Sequence, residues 1–208
     1  MLKINFLGDS ITEGALASQQ DKCYVELVGK MLPAKVHNYG ISATRIAKQI
    51  IPSIDPIWDK YFASRVKNMD QDADYVFVFG GTNDYGHGDA PLGKMGDKTP
   101  ETFYGAMDDL INELLKYYQK DKITFIIPIY RLNEDNIYGD GSKKEPCHPL
   151  AIYRQAMVEE LNKYQINILD IKDIIGKAEN NPLLADGLHP NNAGHKLIAE
   201  LICNYIRH

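Results

Sequence analysis

Cysteine is scarce in this chain. Of 208 residues only three are cysteine, Cys23, Cys147 and Cys203, widely spaced and without a CxxC pair. An odd, dispersed set excludes a disulfide framework and a zinc ribbon. No apolar run approaches the ~18 residues a membrane span needs, so no span is expected. A basic stripe is also missing, and the net charge of -5 argues against nucleic acid as a partner. There is no internal repeat, low-complexity tract or interdomain linker, so residues 1–208 are expected to form a single domain. The stretch Met1-Leu2-Lys3-Ile4-Asn5-Phe6-Leu7 enters a strand pattern at once, with no room for the charged and apolar regions of a signal peptide. A cytoplasmic protein is expected, secreted only if a leader has been removed.

What is present is an alternation of β-rich runs and helical patterns. Candidate strands are Lys3–Leu7, Lys35–Tyr39, Tyr75–Phe79, Ile123–Ile127 and Asn167–Asp170. Runs such as Tyr75-Val76-Phe77-Val78-Phe79 are apolar on both faces, as in a parallel sheet covered on each side by helices. Phe103, Met107, Leu110, Ile111, Leu114, Leu115 and Tyr118 form one helical stripe, with Thr99-Pro100 as its expected start. Leu197, Ile198, Leu201, Ile202 and Tyr205 form another, starting near Asn191 or Asn192. Helical signals also cover Val25–Leu32, Ile57–Val66 and Ile152–Tyr164. The pattern predicts an α/β fold: a three-layer α/β/α sandwich with a five-stranded parallel sheet, flavodoxin-like in layout. Right-handed crossovers put the strand C-termini on one edge, where such folds bind ligands. Two long loops, Tyr85–Pro100 and Tyr130–Cys147, fall on that edge.

The residues that follow the strands carry chemistry. After the first comes Gly8-Asp9-Ser10-Ile11-Thr12-Glu13-Gly14, a serine at a strand-to-helix turn whose amides can receive an anionic oxygen. After the second comes Asn38-Tyr39-Gly40, and after the third Gly80-Gly81-Thr82-Asn83-Asp84. Near the C-terminus stands Asp186-Gly187-Leu188-His189-Pro190, a turn able to hold a carboxylate against an imidazole. Acyl transfer needs these parts: a hydroxyl (Ser10), a base to take its proton (His189), and a carboxylate to fix the base's tautomer (Asp186). It also needs donors for the oxyanion, each worth about 3 kcal/mol; the amides of Ser10 and Gly40 and the Asn83 side chain are the candidates.

In these blocks the chain resembles the SGNH hydrolases, also called GDSL-type esterases and lipases. Gly8-Asp9-Ser10-Ile11 is similar to the nucleophile block, Asn38-Tyr39-Gly40-Ile41-Ser42 to the second, Gly81-Thr82-Asn83-Asp84 to the third, and Asp186-Gly187-Leu188-His189-Pro190 to the fourth. The resemblance runs from residue 3 to about residue 206. It implies nucleophile and first oxyanion amide at Ser10, the second amide at Gly40, the third donor at Asn83, and base and orienter at His189 and Asp186. Two departures are visible: Ile11 stands where the family has leucine, and Ala43 where many members have a second glycine.

The expected function is therefore a serine esterase that cleaves carboxylic esters through an acyl-enzyme intermediate, with no cofactor and no metal. Both long loops are polar, which points to short acyl groups, acetyl first, on a polar or carbohydrate alcohol. A lysophospholipase or thioesterase of the same family is an alternative. A non-catalytic flavodoxin-like phosphate-, nucleotide- or carbohydrate-binding module is another, disfavoured for phosphate by Asp9 and Glu13. Tyr85, His87, Tyr130 and Arg131 are expected to wall the substrate site. Asp9 is read as a structural bond to the elbow backbone. Cys23 and Cys203 are expected in the core, and His195 at the surface or a helix end.

Overall fold

The computed structural model describes residues 1–208. Strands β1 (Lys3–Gly8), β2 (Lys35–Gly40), β3 (Tyr75–Phe79), β4 (Ile123–Ile126) and β5 (Asn167–Leu169) form one sheet in the order β2-β1-β3-β4-β5. Every pairing is parallel. The helices are α1 (Ser10–Glu13), α2 (Tyr24–Met31), α3 (Phe62–Val66), α4 (Thr82–Gly86), α5 (Phe103–Leu115), α6 (Leu150–Tyr164), α7 (Lys172–Ile175) and α8 (Asn192–Arg207). None is long and apolar enough to cross a membrane.

Period-two alternation along the central strands divides the core. Val76 and Val78 of β3 face a layer built from α3, α5 and α6, with Phe62, Phe103, Leu110 and Tyr153 buried there. Phe77 and Phe79 face the opposite layer of α1, α2 and α8, packed on Ile11, Tyr24, Val28, Ile198 and Ile202. Each such side chain contributes roughly 1.5–3 kcal/mol when removed from water. The three-layer α/β/α sandwich of the sequence analysis is the observed fold, and Cys23 and Cys203 are in its core.

Two helix starts differ from expectation. α5 begins after Thr102, whose Oγ accepts from the Gly105 amide at 3.1 Å. Pro100 is drawn away from the helix axis because its carbonyl receives the Lys48 amide. The 57–66 signal yields only α3, because Asp59 turns its carboxylate back onto the Ser53 amide and ends a 3-10 turn at Pro56–Asp59. β1 lies between β2 and β3 with Gly8 level with both Gly40 and Phe79. That row marks the sheet edge from which α1, α4 and the long loops depart.

Candidate active site

β1 delivers Ser10. The chain leaves the sheet at Gly8, and Asp9 caps α1 by accepting the Ile11 amide at 3.0 Å. A side chain at Gly8 would strike Thr12 and the Phe79 carbonyl; one at Gly40 would strike the backbone of Thr12 and Glu13. Only glycine at these two positions lets a one-turn helix rest on the strand ends. Asn38 fastens it there through the Thr12 carbonyl at 2.8 Å.

The C-terminal segment delivers the imidazole. Asp186 Oδ1 accepts the amides of Leu188 (2.9 Å) and His189 (2.7 Å), closing a tight turn. Its Oδ2 meets His189 Nδ1 at 2.7 Å, and His189 Nε2 lies 3.0 Å from Ser10 Oγ. Burial works to raise the Asp186 carboxyl, but the hydrogen bonds from the His189 ring and the two amides outweigh it and hold the group below its ordinary value. A carboxylate on Nδ1 fixes the proton there and turns the Nε2 lone pair to the serine hydroxyl. Asn191, capping α8 with bonds from Ala193 and Gly194, anchors the turn from behind.

Asn83, buried on α4, donates one side-chain proton to the Thr44 carbonyl at 3.0 Å, which leaves the other proton uncommitted. Thr44 is joined to β1 by Arg65, whose guanidinium donates to Thr44 Oγ1, the Gly8 carbonyl and the Tyr39 carbonyl. The expected donor Gly40 is corrected here. Its amide is spent on Asn38 Oδ1 at 2.8 Å, and its glycine character serves the close approach of α1. The Ala43 amide, in contrast, is engaged by no hydrogen bond, and neither is that of Arg45 two residues on. Ala43 stands at φ +62°, a left-handed conformation costing a non-glycine residue about 1–2 kcal/mol. The sequence signal for it was the alanine replacing a glycine.

This serine–histidine–carboxylate chain lies within the stretch, residues 6–197, that matches the profile of the GDSL-like Lipase/Acylhydrolase family. The chain belongs to that family. No curated protein matches it. Among solved structures, a Lactobacillus plantarum protein is 28% identical, with TM-score 0.82 over 99% of this chain and 96% of its own. The M. smegmatis aryl esterase is 15% identical, with TM-score 0.73 over 100% and 99%. A two-domain esterase active on acetylated mannans is 21% identical, with TM-score 0.66; the match covers 99% of this chain and 49% of that one. The latter two likenesses concern the fold alone.

Within this GDSL-like hydrolase, three of the four expected substrate-wall residues are structural. Tyr85 is fully buried, its hydroxyl donating to the carbonyls of Asn133 (2.5 Å) and Asn136 (3.0 Å), so it fastens the second long loop. Arg131 is buried against the Tyr85 ring and donates to the Thr82 carbonyl at 3.1 Å, which steadies α4. Tyr130 donates to Asp173 at 2.7 Å, and Arg154 and Lys177 lie over its ring. It lines a cavity of about 550 Å³ whose walls include none of Ser10, Asn83 and His189. His87 reaches the Ala43 carbonyl instead of open space, with Nε2 at 3.3 Å. His195 lies at a helix end, in the first turn of α8, but is fully buried there and not at the surface.

Two further residues shape the site without having been singled out from sequence. Asp84 receives the Ile46 and Ala47 amides on its two oxygens (3.0 and 2.8 Å), holding the segment after Ala43 against α4. Burial raises its carboxyl despite those bonds and nearby Arg45. Arg45 donates to the Ala43 carbonyl at 3.0 Å and to Ser53, Trp58 and Asp59. A lone acid and a lone arginine between small residues carry no periodic signal, and only three-dimensional neighbours reveal their work.

Proposed function

We propose that the chain is a serine esterase in which Ser10 is the nucleophile, His189 the base and Asp186 its orienter. The observation that carries this reading is the unbroken Ser10 Oγ–His189–Asp186 hydrogen-bond chain, with contacts of 3.0 and 2.7 Å. As Ser10 Oγ bonds to the ester carbonyl carbon, His189 Nε2 takes its proton and the carbonyl π pair moves onto oxygen. The amides of Ser10 and Ala43 and the free proton of Asn83 Nδ2 are the donors for that oxyanion. The bond to the alcohol then breaks, and His189 returns the proton to the departing oxygen. Water, deprotonated by the same imidazole, releases the acid and regenerates the serine.

For the substrate we propose a short acyl group, acetyl first, on a polar or carbohydrate alcohol. Support comes from the small and polar residues of the 85–100 and 130–147 loops. The fold neighbour active on acetylated mannans sets a precedent for such chemistry on this scaffold. One observation favours a second reading, a lysophospholipase or thioesterase. Ile50, Ile51, Ile54, Ile57 and Trp58, in the segment that Arg45 and Asp89 tie down after Ala43, expose apolar side chains to solvent.

A panel of p-nitrophenyl esters from acetyl to octanoyl, with acetylated sugars, run on wild type and Ser10→Ala decides between them. Rates falling steeply with chain length support the acetyl reading, and a preference for octanoyl supports the second. Ser10→Ala should lose on the order of 10⁴–10⁶-fold in kcat, and a fluorophosphonate should label Ser10 in the wild type. Full turnover in Ser10→Ala overturns the serine mechanism.

A further inference from the structure

We propose that His87 is a positioning residue: it holds the Ala43 peptide so that its open amide points at the reacting carbonyl oxygen, without touching substrate itself. The inference rests on the serine-esterase reading. It begins from Ala43, a left-handed alanine whose backbone would relax toward ordinary geometry unless its neighbours fixed it. On the N-terminal side, the Ser42 amide and hydroxyl are both taken by Glu13 Oε2. On the C-terminal side the Ala43 carbonyl receives two donors, Arg45 Nη1 at 3.0 Å and His87 Nε2 at 3.3 Å. The peptide planes on either side of the Ser42–Ala43 peptide, which must present its N–H, are thus both held.

His87 is the donor that links this segment to the rest of the oxyanion machinery. Its own amide donates to the Asn83 carbonyl at 3.0 Å, ending α4. Asn83 in turn donates its side chain to the Thr44 carbonyl, the next acceptor along from Ala43. The bonds close a ring: Asn83 carbonyl to His87 amide, His87 ring to Ala43 carbonyl, and Thr44 carbonyl back to the Asn83 side chain. His87 is the member of this ring that reaches Ala43 itself; Asn83 and Asp84 hold the residues after it, from Thr44 to Ala47. The Ala43 carbonyl can only accept, so Nε2 carries the proton; Nδ1 lies 3.4 Å from Asp140 Oδ2, an ion pair only when the ring is protonated. The ring therefore serves as an Nε2–H donor, with Asp140, itself bonded to Ser142, closing its outer side. Arg45 alone leaves Ala43 without a link to α4 through this ring.

The test compares His87→Ala and His87→Gln with wild type, using p-nitrophenyl acetate kinetics, thermal melting and the ¹⁵N–¹H resonance of Ala43. His87→Ala should lower kcat about tenfold, a fraction of the 10²–10³ expected for losing an oxyanion donor outright, with KM within about twofold. The Ala43 amide resonance should move and broaden. His87→Gln, which retains an N–H of similar reach, should recover both most of kcat and the resonance position. His87→Phe fills the same space without a donor and takes the place of His87→Ala if that variant does not fold. An unmoved Ala43 resonance in the donorless variant overturns the proposal, as does an unchanged kcat or a rise confined to KM, which would make His87 a substrate contact. Full activity in Ser10→Ala instead strikes the esterase reading, whereas the resonance still reports whether His87 holds Ala43.

Discussion

Asp9 shows how much a single buried group can set against the fold. One of its oxygens caps α1, and the other, Oδ2, is buried with no partner. Burial lifts its carboxyl from 3.8 to about 6, with the Ile11 amide, His189 and Arg65 pulling the other way. A carboxyl whose folded pKa lies above its unfolded one supports the fold fully below pH 3.8, and that support is lost as pH rises through about 6. At neutral pH the charge therefore opposes folding. Asp9→Asn keeps the capping oxygen and replaces a buried charge by a neutral amide. It should gain on the order of 2 kcal/mol at pH 8 and little at pH 4. Denaturant midpoints at the two pH values measure this; an equal gain at both would remove ionisation as the cause.

At the scale of elements, the contact between α1 and the end of β2 is the tightest constraint near the site. Gly40→Ala would leave the Gly40 amide intact but drive a methyl into the backbone of Thr12 and Glu13. We expect a loss of at least about 3 kcal/mol in stability and a collapse of kcat from displaced Ser10, even though Gly40 donates nothing to the reaction. A fully stable, fully active variant would show that the approach of α1 to the end of β2 is not the constraint described here. The same element shows what the sequence could disclose. Strands were legible because runs such as β3 and β4 are almost continuously apolar; Ser10 and Asn83 were singled out because they follow strands, and Asp186 and His189 by their spacing in one turn. In one dimension Gly40 reads as the donor, and Ala43 only as a departure from the family's second glycine. Only the bond that the Gly40 amide donates to Asn38 Oδ1 shows that this amide is already spent. Tyr85, Tyr130 and Arg131 misled for a related reason: loop aromatics and cations resemble a substrate wall until their partners in other loops are known.

Across the whole molecule, His195 joins three helices of one layer. Its Nδ1 accepts the Tyr24 amide from α2 at 3.3 Å, its Nε2 reaches the Ala15 carbonyl beyond α1 at 3.4 Å, and its own backbone belongs to α8. Tyr24 extends the network to Thr12 of α1 at 2.9 Å. Burial lowers the pKa of His195, with the Ala15 carbonyl opposing. Its support for the fold is therefore complete above 6.5, the ordinary histidine value, and is lost as pH falls through the lowered one. Wild-type stability should decline as pH falls below that value. His195→Gln should be weaker at pH 7.5 by about 1–3 kcal/mol yet show a flatter decline. Parallel slopes in urea titrations across that range would exclude His195 as the acid-sensitive link.

The hydroxyl at position 10 and the imidazole at position 189 meet at 3.0 Å although 179 positions separate them in the sequence. On a ribosome, the serine emerges long before the histidine. Until synthesis has passed that point, the nascent chain carries an alcohol no more reactive than any other. A product cut short before residue 189 would keep the hydroxyl but lack the imidazole on which the proposed mechanism depends.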